Sequence, residues 1–262
     1  MLALKLTLVP LFLLIVSMSG KWWGPAVAGW LAALPVVAGP ILWLLVLQHG
    51  PAFGARAAML SLYAIFAVEA YNFAYAWTCR GRPWWVSLAA GLCAWGGTAV
   101  VLSMLPVSLA WALGVALVAV LFGQSFLPRS KAVAGGAPLA RADLAGRMFA
   151  GAALTFFVTA LSTRLGPAWS GLFAVFPLLG SVLSVSSHRA HGADFVVTMM
   201  RGMVLGRFSF AAFCVVLALG LGRESSALVF AVAVAVALLV QWSSRRIALF
   251  ASGSGSRPTA AG

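Results

Sequence analysis

One acidic residue of this sequence lies deep inside an apolar segment, where a charge is costly. Glu69 stands within the hydrophobic segment 55–78, and Asn72 follows it by about one helical turn. Because hydrocarbon solvates a carboxylate poorly, such a group faces the protein interior, takes up a proton or pairs with a cation. Glu69 therefore indicates either a proton or substrate site or a structural role, as an ion pair or as a hydrogen bond to a nearby Tyr or to Asn72.

Two arginines lie in a second apolar segment, at 194–220. With a helical rise of about 1.5 Å per residue, Arg201 is roughly 10 Å from the start of that segment. Glu69 is roughly 14 Å from the end of its own segment by the same rise. These similar depths predict a Glu69–Arg201 pair. Arg207 lies deeper and has no obvious partner, so we expect it to meet an anionic group.

Proline interrupts two further apolar segments, 11 residues after each segment begins. Pro35 and Pro177 each free backbone carbonyls near the expected midplane of the membrane. Paired interrupted helices are the best sequence pointer to a transport site. Ser181 and Ser184 follow Pro177, and they either line a path or satisfy the broken backbone.

Histidines stand at the ends of the same two segments. His49-Gly50 and His191-Gly192 are typical of a helix that ends at a glycine turn. A histidine at each mouth, together with His188, could also respond to pH. No ligand spacing indicates a metal site, and no nucleotide-binding or hydrolase motif occurs. We therefore expect a protein that is not an enzyme and needs no cofactor.

The two interrupted segments belong to an internal repeat. The stretch 24–53 returns without gaps at 166–195, at an offset of 142 residues. The matched positions are mostly Gly, Pro and His, which set backbone shape or carry chemistry. A chance match between two apolar stretches would mainly pair Leu, Ala and Val. The chain is therefore interpreted as a duplicated unit.

The composition admits one class of protein. The chain is 63% hydrophobic and 8% charged, with a mean hydropathy of +1.05. Such values are typical of an all-α polytopic membrane protein. The net charge of +13 is scattered between apolar segments rather than clustered with aromatic residues, so we expect no nucleic-acid partner. The predicted spans are 2–19, 24–48, 55–78, 84–104, 106–127, 143–162, 166–188, 194–220 and 225–243.

These nine transmembrane helices predict two inverted four-helix repeats plus one linker helix. Residues 1–104 form unit one and residues 143–247 form unit two. Residues 105–142 hold the linker helix and a cytoplasmic loop, and residues 248–262 form a disordered cytoplasmic tail. Because unit one has an even number of spans, one extra crossing inverts unit two. The first helix corresponds to span six, which favours its retention over cleavage as a signal peptide.

Charge counting sets the expected orientation. One side of the predicted membrane receives eleven basic residues and the other side receives four. Because basic loops remain in the cytoplasm, we expect a periplasmic N-terminus and a cytoplasmic C-terminus.

Each unit resembles the small GlpM-like inner-membrane proteins, which have four spans. In unit one the resemblance rests on Lys21-Trp22-Trp23, Ala28-Gly29, Leu34-Pro35, Ala55-Arg56-Ala57 and Cys93-Ala94-Trp95-Gly96. Unit two keeps Gly171, Phe176-Pro177 and Gly192, but Thr198 stands where unit one has Arg56. The resemblance implies a location in the bacterial inner membrane and a link to alginate exopolysaccharide production, without catalytic residues.

Two functions follow from this sequence. The first is a secondary transporter of a small, anionic or proton-coupled solute in the lipid bilayer, and the second is a non-transporting accessory protein for exopolysaccharide production. A water-reachable cavity between spans two, three, seven and eight would favour transport, and a dry packed interface would exclude it. The sequence leaves a homo-oligomer open. The expected path residues are Glu69, Arg201, Arg207, Asn72, Pro35, Pro177, Ser181 and Ser184.

Overall fold

The computed structural model describes residues 2–104, 108–130, 141–164 and 176–253. Residues 254–262 of the predicted disordered tail and the first part of predicted span seven lie outside these residues, whereas residues 248–253 of that tail are helical. The described residues contain ten helices and no named strand. In chain order the helices are α1 (Leu2–Trp23), α2 (Pro25–Ala32), α3 (Ala38–His49), α4 (Pro51–Thr78), α5 (Trp84–Ser103), α6 (Leu109–Phe126), α7 (Arg141–Arg164), α8 (Leu178–His191), α9 (Ala193–Gly220) and α10 (Ser226–Gly253). The predicted all-α class is therefore confirmed.

Six helices of the described ranges are long and apolar enough to cross a membrane, namely α1, α4, α5, α6, α9 and α10. Large apolar side chains such as Val101, Leu121 and Leu239 remain exposed on the outside of these helices. Water would solvate such surfaces poorly, whereas lipid chains solvate them well. The chain is thus a multi-pass helical membrane protein.

Three of the nine predicted spans do not form single apolar helices of that length. At 24–48 the structure has α2 and α3, and residues 33–37, which include Pro35, separate them. Proline removes a backbone hydrogen bond and clashes with the preceding turn, so it ends α2 here. In the described part of predicted span seven, the 14-residue α8 begins directly after Pro177. At predicted span six, the 24 residues of α7 include four charged ones, and α7 is not among the six.

Helix boundaries recur at the offset of 142 residues found in the sequence. α4 and α9 each contain 28 residues, and they begin at Pro51 and Ala193. α5 and α10 begin at the same offset. Before α4 and α9, Gly50 and Gly192 adopt positive φ angles of 87° and 78°. Only glycine takes up this backbone without strain, which explains why the sequence repeats it here.

The corresponding helices α4 and α9 pack against each other and run antiparallel. Near one end of the contact, a side-chain position at Gly54 would lie against Leu221. Further along α4, Glu69 contacts Arg207. Residue numbers therefore rise on α4 as they fall on α9, which sets the register of every contact between the two helices.

The helix α9 is the centre of the bundle, because it packs against α2, α4, α6, α8 and α10. Its closest approach is to α2. A Cβ atom on Gly202 would overlap the carbonyl oxygen of Ala26, and one on Gly206 would lie 2.6 Å from the carbonyl oxygen of Trp30. Glycines spaced four apart are typical of helices whose backbones touch.

We expect Gly202→Ala to destabilise the fold, because the added methyl group has no room between the two backbones. The free energy of unfolding in detergent should fall by about 1–3 kcal/mol, which is typical of overpacking. The matched control is Gly114→Ala on α6, where a Cβ meets nothing within 4 Å. Thermal unfolding followed by circular dichroism compares the two variants, and equal stability would contradict this packing.

Candidate functional site

A buried ion pair joins α4 to α9 at the middle of the bundle. The Nε of Arg207 donates to Glu69 Oε1 at 2.9 Å. Glu69 is 5% exposed and the Arg207 side chain is 16% exposed. The second carboxylate oxygen, Oε2, accepts a hydrogen bond of 3.0 Å from Nδ2 of Asn72. Of the two kinds of hydrogen-bonding neighbour expected for Glu69, Tyr and Asn, the amide group of Asn72 is the one that bonds to it.

The predicted Glu69–Arg201 pair is wrong. Arg201 instead donates from Nη1 to the carbonyl oxygen of Leu127, just after α6, at 2.9 Å. The prediction compared depths measured from the helix ends, as if those ends shared one plane. α4 and α9 are staggered along each other, and the contact of Gly54 with Leu221 reflects this stagger. Arg207, which had no expected partner, is the residue that faces Glu69.

A cavity of about 260 Å³ lies beside the ion pair. It is bounded by the end of α2, the start of α3, the start of α8, and the middle of α1, α4, α7 and α9. Its polar side chains are Arg207, Ser61 and Thr155. The two hydroxyl groups bond to carbonyl oxygens of their own helices. Arg207 is therefore the charged group that this cavity offers to a ligand.

Glu69 faces away from this cavity, towards a second one of about 220 Å³. The second cavity lies between α4, α5 and α6, and apart from Glu69 its lining is apolar or glycine. On α6, a Cβ added to Gly123 would lie 3.0 Å from a methyl group of Val204 and in ordinary contact with Oε2 of Glu69, so the glycine permits the close approach of α6 to α9. The ion pair thus separates two cavities, with its cation in one and its anion in the other.

Both proline interruptions border the larger cavity. Pro177 lines it directly, as do Leu34 and Val37 from the segment between α2 and α3. Pro35 itself faces a different, apolar pocket between α3, α9 and α10. The N-termini of α3 and α8 lie at the larger cavity, and a helix N-terminus carries a partial positive charge. The C-terminal end of α2 also lies at this cavity and carries the opposite partial charge, so Arg207 is the group that makes the potential positive.

The two serines expected to line a path hold the structure together instead. Ser181 Oγ donates to the carbonyl oxygen of Pro177 at 2.8 Å. Ser184 Oγ and the hydroxyl group of Tyr71 form a hydrogen bond of 2.8 Å. Both serines are buried, and neither lines a cavity described here. Ser181 adds a second hydrogen bond to a carbonyl group that already accepts its backbone N–H, and Ser184 joins α8 to α4.

The three histidines occupy helix ends, as predicted. His49 packs edge-on against Phe53, and at the repeat offset His191 packs against Phe195. The Nδ1 of His188 lies 3.3 Å from the hydroxyl group of Tyr75. At the end of α8, burial and then the charge of Arg147 lower the pKa of His191. A lowered pKa leaves the ring neutral at pH 7, so protonation requires a more acidic medium.

Arg147 is the residue that sequence reasoning missed. It was counted among the cytoplasmic loop charges, although it falls inside predicted span six. In the structure it is 5% exposed and lies between α1 and α7. Its position, four residues after the predicted start of that span, was the sequence signal that it belongs to the helix rather than to the loop. Among the described residues no three His, Cys, Asp or Glu side chains come together as metal ligands.

Breaking the Glu69–Arg207 pair from one side should cost more than removing both charges. Glu69→Leu leaves a guanidinium unpaired and should lower the free energy of unfolding by about 3–5 kcal/mol. Adding Arg207→Met to that variant should restore part of the loss, because the stranded charge is gone. A double-mutant cycle in detergent measures the coupling, and Arg201→Met serves as the control cation. Purely additive losses would contradict the pairing.

Comparison with known proteins identifies no relative from which a function could be carried over. No protein-family model, no curated protein and no solved structure matches the chain.

Proposed function

We propose that the protein is a secondary transporter of a small anionic solute, which binds in the 260 Å³ cavity beside Arg207. The observation that carries this proposal is the position of that cavity. It lies between two interrupted helical segments and the central helices α4 and α9, where a transporter of this type would bind its solute. A dry interface at this place would have excluded transport.

The arrangement of the helices supports a pair of inverted units that cross the membrane nine times. In this reading α2 and α3 form one broken crossing, and α7 and the segment containing α8 form two more. A two-fold axis in the membrane plane makes corresponding helices antiparallel. α4 and α9 run antiparallel, and so do α1 and α7, since Arg147 bonds to Ser17 while Gly151 lies against Leu13. Alternating access would rock one unit against the other.

The charge of the cavity supports an anion as the solute. Arg207 contributes a guanidinium group, whereas its partner Glu69 lies on the other side of the contact. The N-termini of α3 and α8 add partial positive charge from the backbone, which the C-terminus of α2 offsets in part. A volume of about 260 Å³ is below the range of about 300–1,000 Å³ for drug-sized ligands, so the solute is small.

Glu69 has a defined role in this mechanism. It holds Arg207 through a single contact at Nε while the cavity contains no solute. An entering anion competes with the carboxylate for the guanidinium group, and protonation of Glu69 removes the competitor. Proton uptake and anion binding are therefore linked through one arginine, which is a direct route to co-transport of the two ions.

The membrane and the orientation are part of the same proposal. The excess of basic residues on one predicted side supports a cytoplasmic C-terminus in a bacterial inner membrane. The resemblance to GlpM-like proteins supports the same location. The alternative, a non-transporting accessory protein for exopolysaccharide production, rests on that resemblance alone and gives no role to a cationic cavity.

We expect Arg207→Gln to abolish uptake of the anion, since the cavity then lacks its charged group. Proteoliposomes should take up at least one member of a panel of labelled inorganic anions and small carboxylates, in a saturable manner. Arg56→Gln is the matched control, because Arg56 is exposed near the start of α4. Unchanged uptake by Arg207→Gln would contradict the proposal, as would the absence of uptake for the whole panel.

Glu69→Gln should separate binding from coupling. The amide keeps the size of the side chain but cannot compete as an anion for Arg207. We expect a lower KM for the anion at neutral pH, and a rate that no longer responds to an imposed pH gradient. Uptake measured with and without that gradient tests both effects. A variant that keeps the response of the wild type would show that Glu69 is only structural.

A further inference from the structure

A second buried arginine lies where α1, α7 and α8 meet, away from the Glu69–Arg207 pair. Arg147 is 5% exposed, and its Nη1 donates to Oγ of Ser17 at 3.2 Å. Its Nε and Nη2 are buried without a hydrogen-bond partner. A buried charge with unmet donors is unfavourable unless another group compensates it.

No carboxylate of the described residues forms an ion pair with Arg147. Within those residues Glu69 and Arg207 form the single ion pair. Asp143, one turn earlier on α7, is exposed, and its charge favours the guanidinium group only from a distance, without a direct contact. An unpaired buried charge is much more costly than a paired one. We therefore expect an anion from outside the chain to bind beside Arg147.

Arg147 lines a small cavity of about 10 Å³. Such a volume holds about one water-sized body. Ser17, Ser187 and His191 also line the cavity, and the exposed Lys21 stands at its rim. It shares no lining residue with the larger cavity beside Arg207.

Most of the polar groups around this cavity are hydrogen-bond donors that lack a strong acceptor. The hydroxyl group of Ser187 points only to the sulfur of Met199, at 3.8 Å, and a thioether is a weak acceptor. Ser17 accepts from Arg147, so its own proton is available to a ligand. A water molecule would satisfy the donors but would leave the charge of Arg147 uncompensated.

We propose that this cavity binds a single small inorganic anion such as chloride. The anion accepts from Nε and Nη2 of Arg147 and from the hydroxyl groups of Ser17 and Ser187, while Lys21 attracts it from the rim. The volume excludes phosphate and sulfate without rearrangement. By holding α1, α7 and α8 together, the anion stabilises the fold, and this role does not depend on the proposed transport function.

The test uses the full chain purified in detergent. Its thermal unfolding midpoint is measured as sodium gluconate is replaced by sodium chloride or sodium sulfate at constant ionic strength. We expect a saturable rise with chloride and only the gradual, non-saturating rise of an excluded salt with sulfate, because a ligand of the folded state raises the midpoint with its concentration. Equal midpoints in chloride and gluconate would overturn the proposal and leave water as the occupant.

Variants connect the effect to the site. Arg147→Met should weaken the response to chloride by about 30-fold or more, as expected for a lost buried charge contact, whereas Arg56→Met should keep it. If Arg147→Met does not fold, Ser187→Ala provides the test, with a several-fold weaker response expected. Arg207→Gln should keep the chloride response even if it abolishes uptake, which separates the two proposals. If Arg147→Met folds, a wild-type response in both variants would overturn the assignment. If it does not fold, a wild-type response in Ser187→Ala alone would do so.

A readout at His191 does not depend on stability. The charge of Arg147 contributes to the lowered pKa of this histidine. A bound anion offsets that charge, so nuclear magnetic resonance should show the pKa of His191 rising when chloride replaces gluconate. An unchanged titration would contradict binding beside Arg147.

Discussion

The contact between α4 and α9 depends on one electrostatic constraint, the pairing of Glu69 with Arg207 in a low-dielectric interior. Neither charge could be left alone there, because removing two ions from water costs several kcal/mol per ion even after relaxation. The antiparallel crossing of the two helices places the guanidinium group 2.9 Å from the carboxylate. Asn72 on α4 and the bare backbone of Gly123 on α6 then shape the remaining space around the carboxylate.

A second constraint is that the hydrocarbon offers no water to an interrupted backbone. Pro177 lines the larger cavity, as do the neighbours of Pro35 in the α2–α3 segment, whereas Pro35 itself lies in an apolar pocket beside the exposed Val36. Ser181 Oγ donates to the carbonyl oxygen of Pro177, which also accepts from the backbone N–H of Ser181. The same breaks bring the N-termini of α3 and α8 and the C-terminus of α2 to the cavity, so Arg207 rather than the helix ends makes its potential positive.

Residues 142 positions apart share helix boundaries and glycine turns, but the charged residues of the central ion pair do not recur. Helix boundaries and the turns at Gly50 and Gly192 repeat at one offset. Glu69 corresponds to Ala211 at that offset, and Arg207 corresponds to Ile65. The ion pair therefore has no counterpart at the repeat offset, and its cation faces the larger cavity.

The sequence by itself determined the features that depend on local composition. The apolar segments are helices, the glycine turns recur at Gly50 and Gly192, and a break occurs at Pro35, because each follows from hydropathy or from allowed backbone angles. Glu69 and Asn72 were also identified, since a carboxylate in an apolar segment is conspicuous.

Only the tertiary structure decided which groups meet. Glu69 pairs with Arg207 rather than Arg201 because α4 and α9 are staggered along each other. The sequence of neither helix indicates that stagger. The rotation of each helix about its axis decides which side chains face each other. It brings Ser184 to Tyr71, and it buries Arg147 without a carboxylate partner. In a soluble helix the polar face reveals that rotation. Here the lipid-facing and interior faces are both apolar, so sequence periodicity carries little information about it, and packing decides.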